Sequence, residues 1–288
     1  MIKVFTTQKD FLHFRSSLKG KTIGLVPTMG NLHAGHISLL EQSAEENDIS
    51  IVTIFVNPKQ FGPNEDFNKY PRTLNEDIAK ISATALLINA KKEIVVFAPN
   101  NNDEIFNDAF STTISVGPIT KILEGSIRPT HFDGVTTVVY KLFSLTKPTV
   151  SYFGQKDFQQ CLVIKKMVKD LDLSTQIKIM PIVRSKEGLA LSSRNQYLSD
   201  TDLKEALYLP QSLIEIEKLL LDKKDYLQFR DSLLKDQTFG KRWDYCEILD
   251  AETLAPLTPA TKQAVIVAAF RCQSTRLLDN RLVNLNHT

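Results

Sequence analysis

The chain has 288 residues, with 35 lysines and arginines against 33 aspartates and glutamates and a formal net charge of +2. That length suits two domains, and 42% hydrophobic with 24% charged residues is the balance of a globular protein rather than a disordered one. Charge is spread without a block able to track a nucleic-acid backbone, and the longest apolar run, Ala264 to Phe270, is far too short to span a bilayer.

Three dispersed cysteines (Cys161, Cys246, Cys272) imply no disulfide framework. The first residues lack an apolar leader segment, so a cytoplasmic protein is expected.

In chain order, Phe11, Phe14 and Leu18 fall at helical spacing. A strand follows at Thr22 to Val26 and breaks at Pro27. A helix runs from about Gly35 to Asn47, and a β-branched strand covers Ile49 to Val56. Strands are also predicted at Ile94 to Phe97 and Thr149 to Phe153, with helices at Leu74 to Ile88, Val135 to Leu145 and Phe158 to Leu171. This alternation predicts an α/β fold, a doubly wound Rossmann-like parallel sheet, in which ligands bind where strands end. After a strand at Gln176 to Val183 the pattern changes. A polar loop spans Arg184 to Asn195, a helical stretch is interrupted by Pro210, helices cover Leu213 to Leu221 and Leu227 to Leu234, and short strands lie at Tyr245 to Leu249 and Ala264 to Ala269. The expected organisation is a Rossmann-like domain over residues 1–183 and a smaller α+β lid domain over 184–288.

The most informative stretch is Pro27-Thr-Met-Gly-Asn-Leu-His-Ala-Gly-His36, a strand end, a tight turn and a helix start. At roughly 100° per residue, His33 and His36 lie about 60° apart on one helical face. Gly35 between them permits close approach of a ligand. Free N–H groups at such a helix start attract anions, phosphate above all, and imidazoles there can follow charge developing on a phosphate oxygen. The bland alternative makes one histidine a cap and the other a core residue. A metal reading lacks ligands at a suitable spacing. Walker-type and Gly-x-Gly-x-x-Gly phosphate loops are absent: Arg15 stands where the first needs glycine.

Gln60, in Asn57-Pro-Lys-Gln60-Phe, follows the second predicted strand. Its amide can donate to a carboxylate and accept from a hydroxyl, or it is a surface-loop amide. Arg128 and His131 are either cationic donors beside phosphates or parts of a loop closed by an Arg128–Glu124 pair. Gly154-Gln155-Lys156-Asp157 again follows a strand, with Lys156 able to reach a phosphate. Leu191-Ser192-Ser193-Arg194 is either a phosphate clamp or a helix cap with a solvated arginine.

His33-Ala-Gly-His36 resembles the His-x-Gly-His signature of the nucleotidyltransferase superfamily, and the surrounding wording is similar to that of the pantothenate synthetase (pantoate–β-alanine ligase) family. Five stretches match in order, from the first strand to Leu277-Leu278-Asp279-Asn280. The resemblance implies ATP contacts at Met29, Gly30, Asn31, Leu32, His33, Ala34, Gly35, His36, Gly154, Gln155, Lys156, Asp157, Val183, Leu191, Ser192, Ser193 and Arg194. It implies pantoate contacts at Gln60 and Gln160, the second of the glutamine pair Gln159-Gln160. Tyr70-Pro-Arg-Thr73 and Arg128-Pro-Thr-His131-Phe also fit the family. Gln155 departs from it, standing where glutamate is usual.

The implied reaction is ATP-dependent condensation of pantoate with β-alanine through a pantoyl adenylate, releasing AMP and pyrophosphate. His33, His36 and Lys156 would stabilise charge on the phosphates and Mg²⁺ would neutralise the leaving pyrophosphate. A cytoplasmic homodimer is implied too. A nucleotidyltransferase that stops after nucleotide transfer is the nearest alternative, and a non-catalytic nucleotide-binding module the next.

Overall fold

The computed structural model describes residues 2–63, 65–84, 92–235 and 242–285. By internal packing it divides into two compact units, Met1–Gly154 with Gln159–Met180, and Gln155–Phe158 with Pro181–Thr288.

The first unit is built on six parallel strands, β1 (Ile2–Phe5), β2 (Ile23–Thr28), β3 (Ile49–Ile54), β4 (Glu93–Phe97), β5 (Val150–Gly154) and β6 (Gln176–Met180), in the order β1-β4-β3-β2-β5-β6. Strand alternation supplies both faces. Leu25, Ile51 and Val95 enter one core with α1 (Gln8–Ser16) and the helices His131–Thr146 and Phe158–Asp170, while Val26, Val52 and Val96 enter the other with α2 (Ala34–Glu46) and α3 (Leu74–Ala83). A sheet buried on both faces by helices is the doubly wound architecture that the alternation predicts.

Several boundaries differ from the sequence reading. β1 was not anticipated: it is a four-residue edge strand, too short to show a period. β2 runs through Pro27 to Thr28 instead of breaking there. Thr28 accepts from Phe55 of the β3 side, so Pro27, one residue earlier, turns its missing donor the other way, toward β5. There the β2–β5 ladder has already ended at Leu25 and Ser151, while the β2–β3 ladder continues to Thr28 and Ile54. The two strands part at their carboxyl ends, at the point where strand order reverses, which is where such sheets hold ligands. β3 stops at Ile54 and β6 at Met180, before Pro181. The helix predicted to Ile88 is α3, which ends at Ala83; residues 85–88 of that expectation lie outside the described residues.

Among the described residues the further α-helices, in chain order, are α4 (Glu124–Ile127), α5 (His131–Thr146), α6 (Phe158–Asp170), α7 (Asp200–Ala206), α8 (Tyr208–Leu221) and α9 (Tyr226–Lys235). The second unit packs α7, α8 and α9 on an antiparallel sheet of β7 (Trp243–Asp250), β8 (Gln263–Cys272) and β9 (Thr275–Asn284), around Leu209, Leu213, Ile216, Trp243, Ile266 and Phe270. Pro210 does not interrupt a helix. It lies in the first turn of α8, where no N–H is needed, and the break falls before it at Leu207.

Candidate active site

In the first unit the histidine turn begins where β2 and β5 part. Gly30 (φ +82°) and Asn31 (φ +50°) take left-handed conformations, and a Cβ on Gly30 would lie 3.1 Å from the Asp77 carboxylate. Asp77 of α3 is fully buried and grips the turn, with Oδ2 accepting from the Asn31 N–H (2.9 Å) and Oδ1 from the Leu32 N–H (2.7 Å). One helical turn later, Lys80 Nζ donates to the Leu32 carbonyl at 2.8 Å. The Gly30 N–H donates to Thr28 Oγ1 at 3.1 Å.

His33 is the N-cap of α2, and the two histidines form a reciprocal capping box. His33 Nδ1 accepts the Gly35 N–H (3.1 Å) and His36 Nδ1 accepts the His33 N–H (3.3 Å), with ring centroids 4.1 Å apart. A nitrogen that accepts a hydrogen bond carries no proton, so each ring bears its proton on Nε2. Capping thus uses the Nδ1 edge of both imidazoles. The expectation of free backbone donors is corrected here. The N–H groups of Gly30, Asn31, Leu32, His33 and Gly35 are engaged inside the turn, which takes these five out of the set that could meet an anion.

Gln60 is buried in a short turn after β3. Its Oε1 accepts from Asn57 Nδ2 (3.0 Å) and its Nε2 meets the Met29 sulfur (2.9 Å), which brings Gln60 against the histidine turn. Its carbonyl accepts from His131 Nδ1 (2.9 Å) and Arg128 (3.2 Å). Gly134 is required for this approach: a Cβ there would lie 2.2 Å from the Lys59 carbonyl. Arg128 makes a two-pronged pair with Glu65 at 2.7 and 2.5 Å, so the pair expected with Glu124 is replaced by one with a residue far along the chain. Burial, with the Arg128 guanidinium beside it, pushes the His131 imidazole down to about 4. Burial works to raise the Glu65 carboxyl, but hydrogen bonds and charge from Arg128 outweigh it and hold the group below its usual value.

The adjacent glutamines differ. Gln159 is buried and fully bonded, its Nε2 to the Ile119 and Ile122 carbonyls (both 2.8 Å) and its Oε1 to the Glu124 N–H (3.0 Å). Gln160 is half-buried and takes part in none of these bonds.

In the second unit, Gln155–Asp157 form a short turn in which Lys156 Nζ lies 3.3 Å from Asp157. Asn280 of β9 donates to the Gln155 and Lys156 carbonyls and accepts from Gln155 Nε2. Val183 accepts the Leu191 N–H at 3.0 Å, closing a small hairpin. Ser192 Oγ caps the following turn by accepting from the Arg194 N–H (3.2 Å), so the cap reading holds for that serine.

A family model described as pantoate-beta-alanine ligase matches residues 3–282. The chain is 45% identical over 275 residues to the pantothenate synthetase of Thermosipho melanesiensis, covering 94% of this chain and 95% of that one. It is 43% identical over 288 residues to that of Acetivibrio thermocellus, covering 99% of both.

This chain belongs to the pantoate–β-alanine ligase family.

Solved members of that family share the fold. A pantothenate synthetase from Thermus thermophilus superposes with a TM-score of 0.87 at 39% identity, covering 97% of this chain and 98% of that one. The pantoate-beta-alanine ligase from Francisella tularensis, in a structure described as complexed with beta-gamma ATP and beta-alanine, does so with 0.76 at 36%, covering 98% of both.

Within this family member, the residues that sequence reasoning passed over are Asp77, Lys80 and Asn57. Each holds part of the candidate site through a hydrogen bond to another residue, Asp77 and Lys80 to the histidine turn and Asn57 to Gln60. Only Asp77 carried a local signal, an acid in the first turn of α3 that also reads as an ordinary dipole partner. Among the described residues no helix is long and apolar enough to cross a membrane.

Proposed function

We propose that this chain condenses pantoate with β-alanine at the expense of ATP. In the first step a pantoate carboxylate oxygen attacks the α-phosphorus of ATP, the bond to the bridging oxygen breaks, and pyrophosphate leaves. In the second the neutral amine of β-alanine attacks the acyl carbon, the bond to AMP breaks, and the nitrogen gives up a proton. Activation is needed because a free carboxylate is a poor acyl donor.

The observation that carries this reading is the paired Nε2–H presentation of His33 and His36. Two neutral rings fixed as donors can follow charge building on the α-phosphate without transferring a proton. Lys156 adds a full positive charge. The ATP contacts proposed are Met29 to His36, Gly154 to Asp157, Val183, and Leu191 to Arg194, and those to pantoate are Gln60 and Gln160. The fixed amide of Gln60, its oxygen already held by Asn57, offers its N–H₂ end to a carboxylate or hydroxyl. Gln155 fits as a hydrogen-bonding group in place of a carboxylate. The second unit serves as the lid in this proposal.

Mg²⁺ enters this reading with ATP, as the counter-ion of its phosphates, since it takes most ligands from phosphate and water. Among the described residues the group with donors close enough to hold a metal is Asp202, Glu205 and Cys272. It does not suit Mg²⁺: a thiol is the wrong donor, Asp202 caps Ser199 and Glu205 pairs with Arg242. A homodimer and a cytoplasmic location complete the proposal. Three free, buried cysteines accord with a reducing compartment, and sedimentation at micromolar concentration checks the dimer.

Rapid-quench analysis tests the chemistry. Pantoyl adenylate and pyrophosphate should form from ATP and pantoate alone, and an adenylate that required β-alanine would refute the two-step order. ATP/pyrophosphate exchange across a panel of small hydroxy acids tests the substrate.

A further inference from the structure

The Asp279-Asn280 pair on β9 matches the family wording and has no role in the reading above, yet it is among the best-satisfied polar features of the second unit. Both residues are 2% exposed. Successive side chains of a strand leave on opposite faces. Asp279 lies opposite Ala268 of β8, on the face that carries the second unit's core. Asn280 lies opposite Val267, on the other face.

Each takes hold of a different segment. The Asp279 side chain, wholly buried, receives both prongs of Arg184 at 2.7 and 2.8 Å. Arg184 also donates to the Gly188 carbonyl (3.1 Å), and its backbone bridges Ala190, which fixes the root of the segment that continues into Leu191 to Arg194. Asn280 donates through Nδ2 to the carbonyls of Gln155 (2.9 Å) and Lys156 (3.0 Å) and accepts through Oδ1 from Gln155 Nε2 (3.0 Å). Both ends of its amide are satisfied, and the two carbonyls it faces can only accept, so it cannot turn over. Asp279 Oδ1 further accepts the Asn280 N–H at 2.7 Å.

We infer that Asn280 is a positioning residue for Lys156 and that, with Asp279, it anchors the Lys156 turn and the Val183–Arg194 loop to one rigid strand. This rests on the proposed roles of those two segments. The logic is that a flexible lysine stem is aimed first by its backbone, and here the carboxylate nearest its ammonium, Asp157 at 3.3 Å, rides on the same turn. Two carbonyls pinned on either side of the Lys156 Cα remove the rotation that would swing the ammonium away.

The test uses Asn280→Ala in the full chain, with Gln155→Ala as a milder variant should the first fail to fold. Amide hydrogen exchange should quicken over residues 155–157, and the rate of ATP/pyrophosphate exchange should fall roughly 10- to 100-fold, the loss expected from two hydrogen bonds. The KM for pantoate should stay within about twofold, because Gln60 and Gln160 are untouched. In a Lys156→Ala background Asn280→Ala should cost almost nothing further, a non-additivity that a merely structural residue would not show. Unchanged amide exchange at 155–157 in both variants, or an equal loss of rate in both backgrounds, overturns the inference. If Lys156→Ala by itself keeps the full rate, the proposed role of Lys156 fails, and the amide exchange alone then decides whether Asn280 holds the turn.

Discussion

His36 Nδ1 accepts the backbone N–H of His33 at 3.3 Å and His33 Nδ1 accepts that of Gly35, so the two histidines of the signature build one cap between them and each keeps its proton on Nε2. Cap and chemistry can then be separated. Asparagine is among the best N-cap residues, so His33→Asn should keep thermal stability close to that of the parent. Without the Nε2–H donor, ATP/pyrophosphate exchange should drop by ~10²- to 10³-fold, the usual cost of removing one transition-state donor. A variant that melts early but still exchanges would show that His33 is only a cap.

Asp77 is suited to its place because a carboxylate has two acceptors and the turn offers two N–H donors, from Asn31 and Leu32. Asp77→Asn keeps the shape but turns an N–H₂ toward one of those donors. A loss of about 1–3 kcal/mol in a urea melt is expected from one buried donor left unpaired. The exchange rate should fall with it as the turn loosens. A midpoint unchanged from the parent would show that the grip contributes nothing.

Gln159 and Gln160 are neighbours with opposite expected outcomes. Gln159→Ala strands the Glu124 N–H and the Ile119 and Ile122 carbonyls, so it should be strongly destabilising, by ~1–3 kcal/mol for each group that water cannot reach. Gln160→Ala should leave the melt unmoved and weaken pantoate binding by calorimetry about five- to 150-fold, with ATP affinity unchanged. Equal effects of the two on pantoate would remove Gln160 from the proposed site.

His131 gives a pH dependence of definite sign. Its imidazole sits near 4 in the folded protein against 6.5 when free, so the unfolded chain takes up the proton first as pH falls. Stability is therefore complete above about pH 6.5 and is lost progressively between about 6.5 and 4, by about 3 kcal/mol in all. His131→Gln should start less stable at pH 7, having lost the relay from Arg128 to the Gln60 carbonyl. It should lack that acid-side decline, so the two melting curves converge toward pH 4. Parallel curves across this range would show that His131 does not titrate as its surroundings require.

The sequence determined the elements and the chemistry carriers by itself. β-branched runs, the helical spacing of apolar residues and turn-forming glycines are local, and they placed five of the six parallel strands and the histidine turn, though not the short edge strand β1 or β9. Pro27 and Pro210 were read from the same local rules and misplaced. Proline's missing donor breaks an element only if a partner was waiting for that donor, and neither position has one.

Tertiary structure alone decided the partners. Asp77 reaches Leu32 from another helix, Arg128 chooses Glu65 over the nearby Glu124, and Asn280 finds Lys156 from the far end of the chain. Which of two adjacent glutamines is consumed in holding a loop is likewise invisible in their order. Local propensity fixes how each segment is shaped. A buried hydrogen bond forms instead wherever the folded chain brings a donor and an acceptor together out of reach of water, and that meeting depends on strand order, which no stretch of the sequence records.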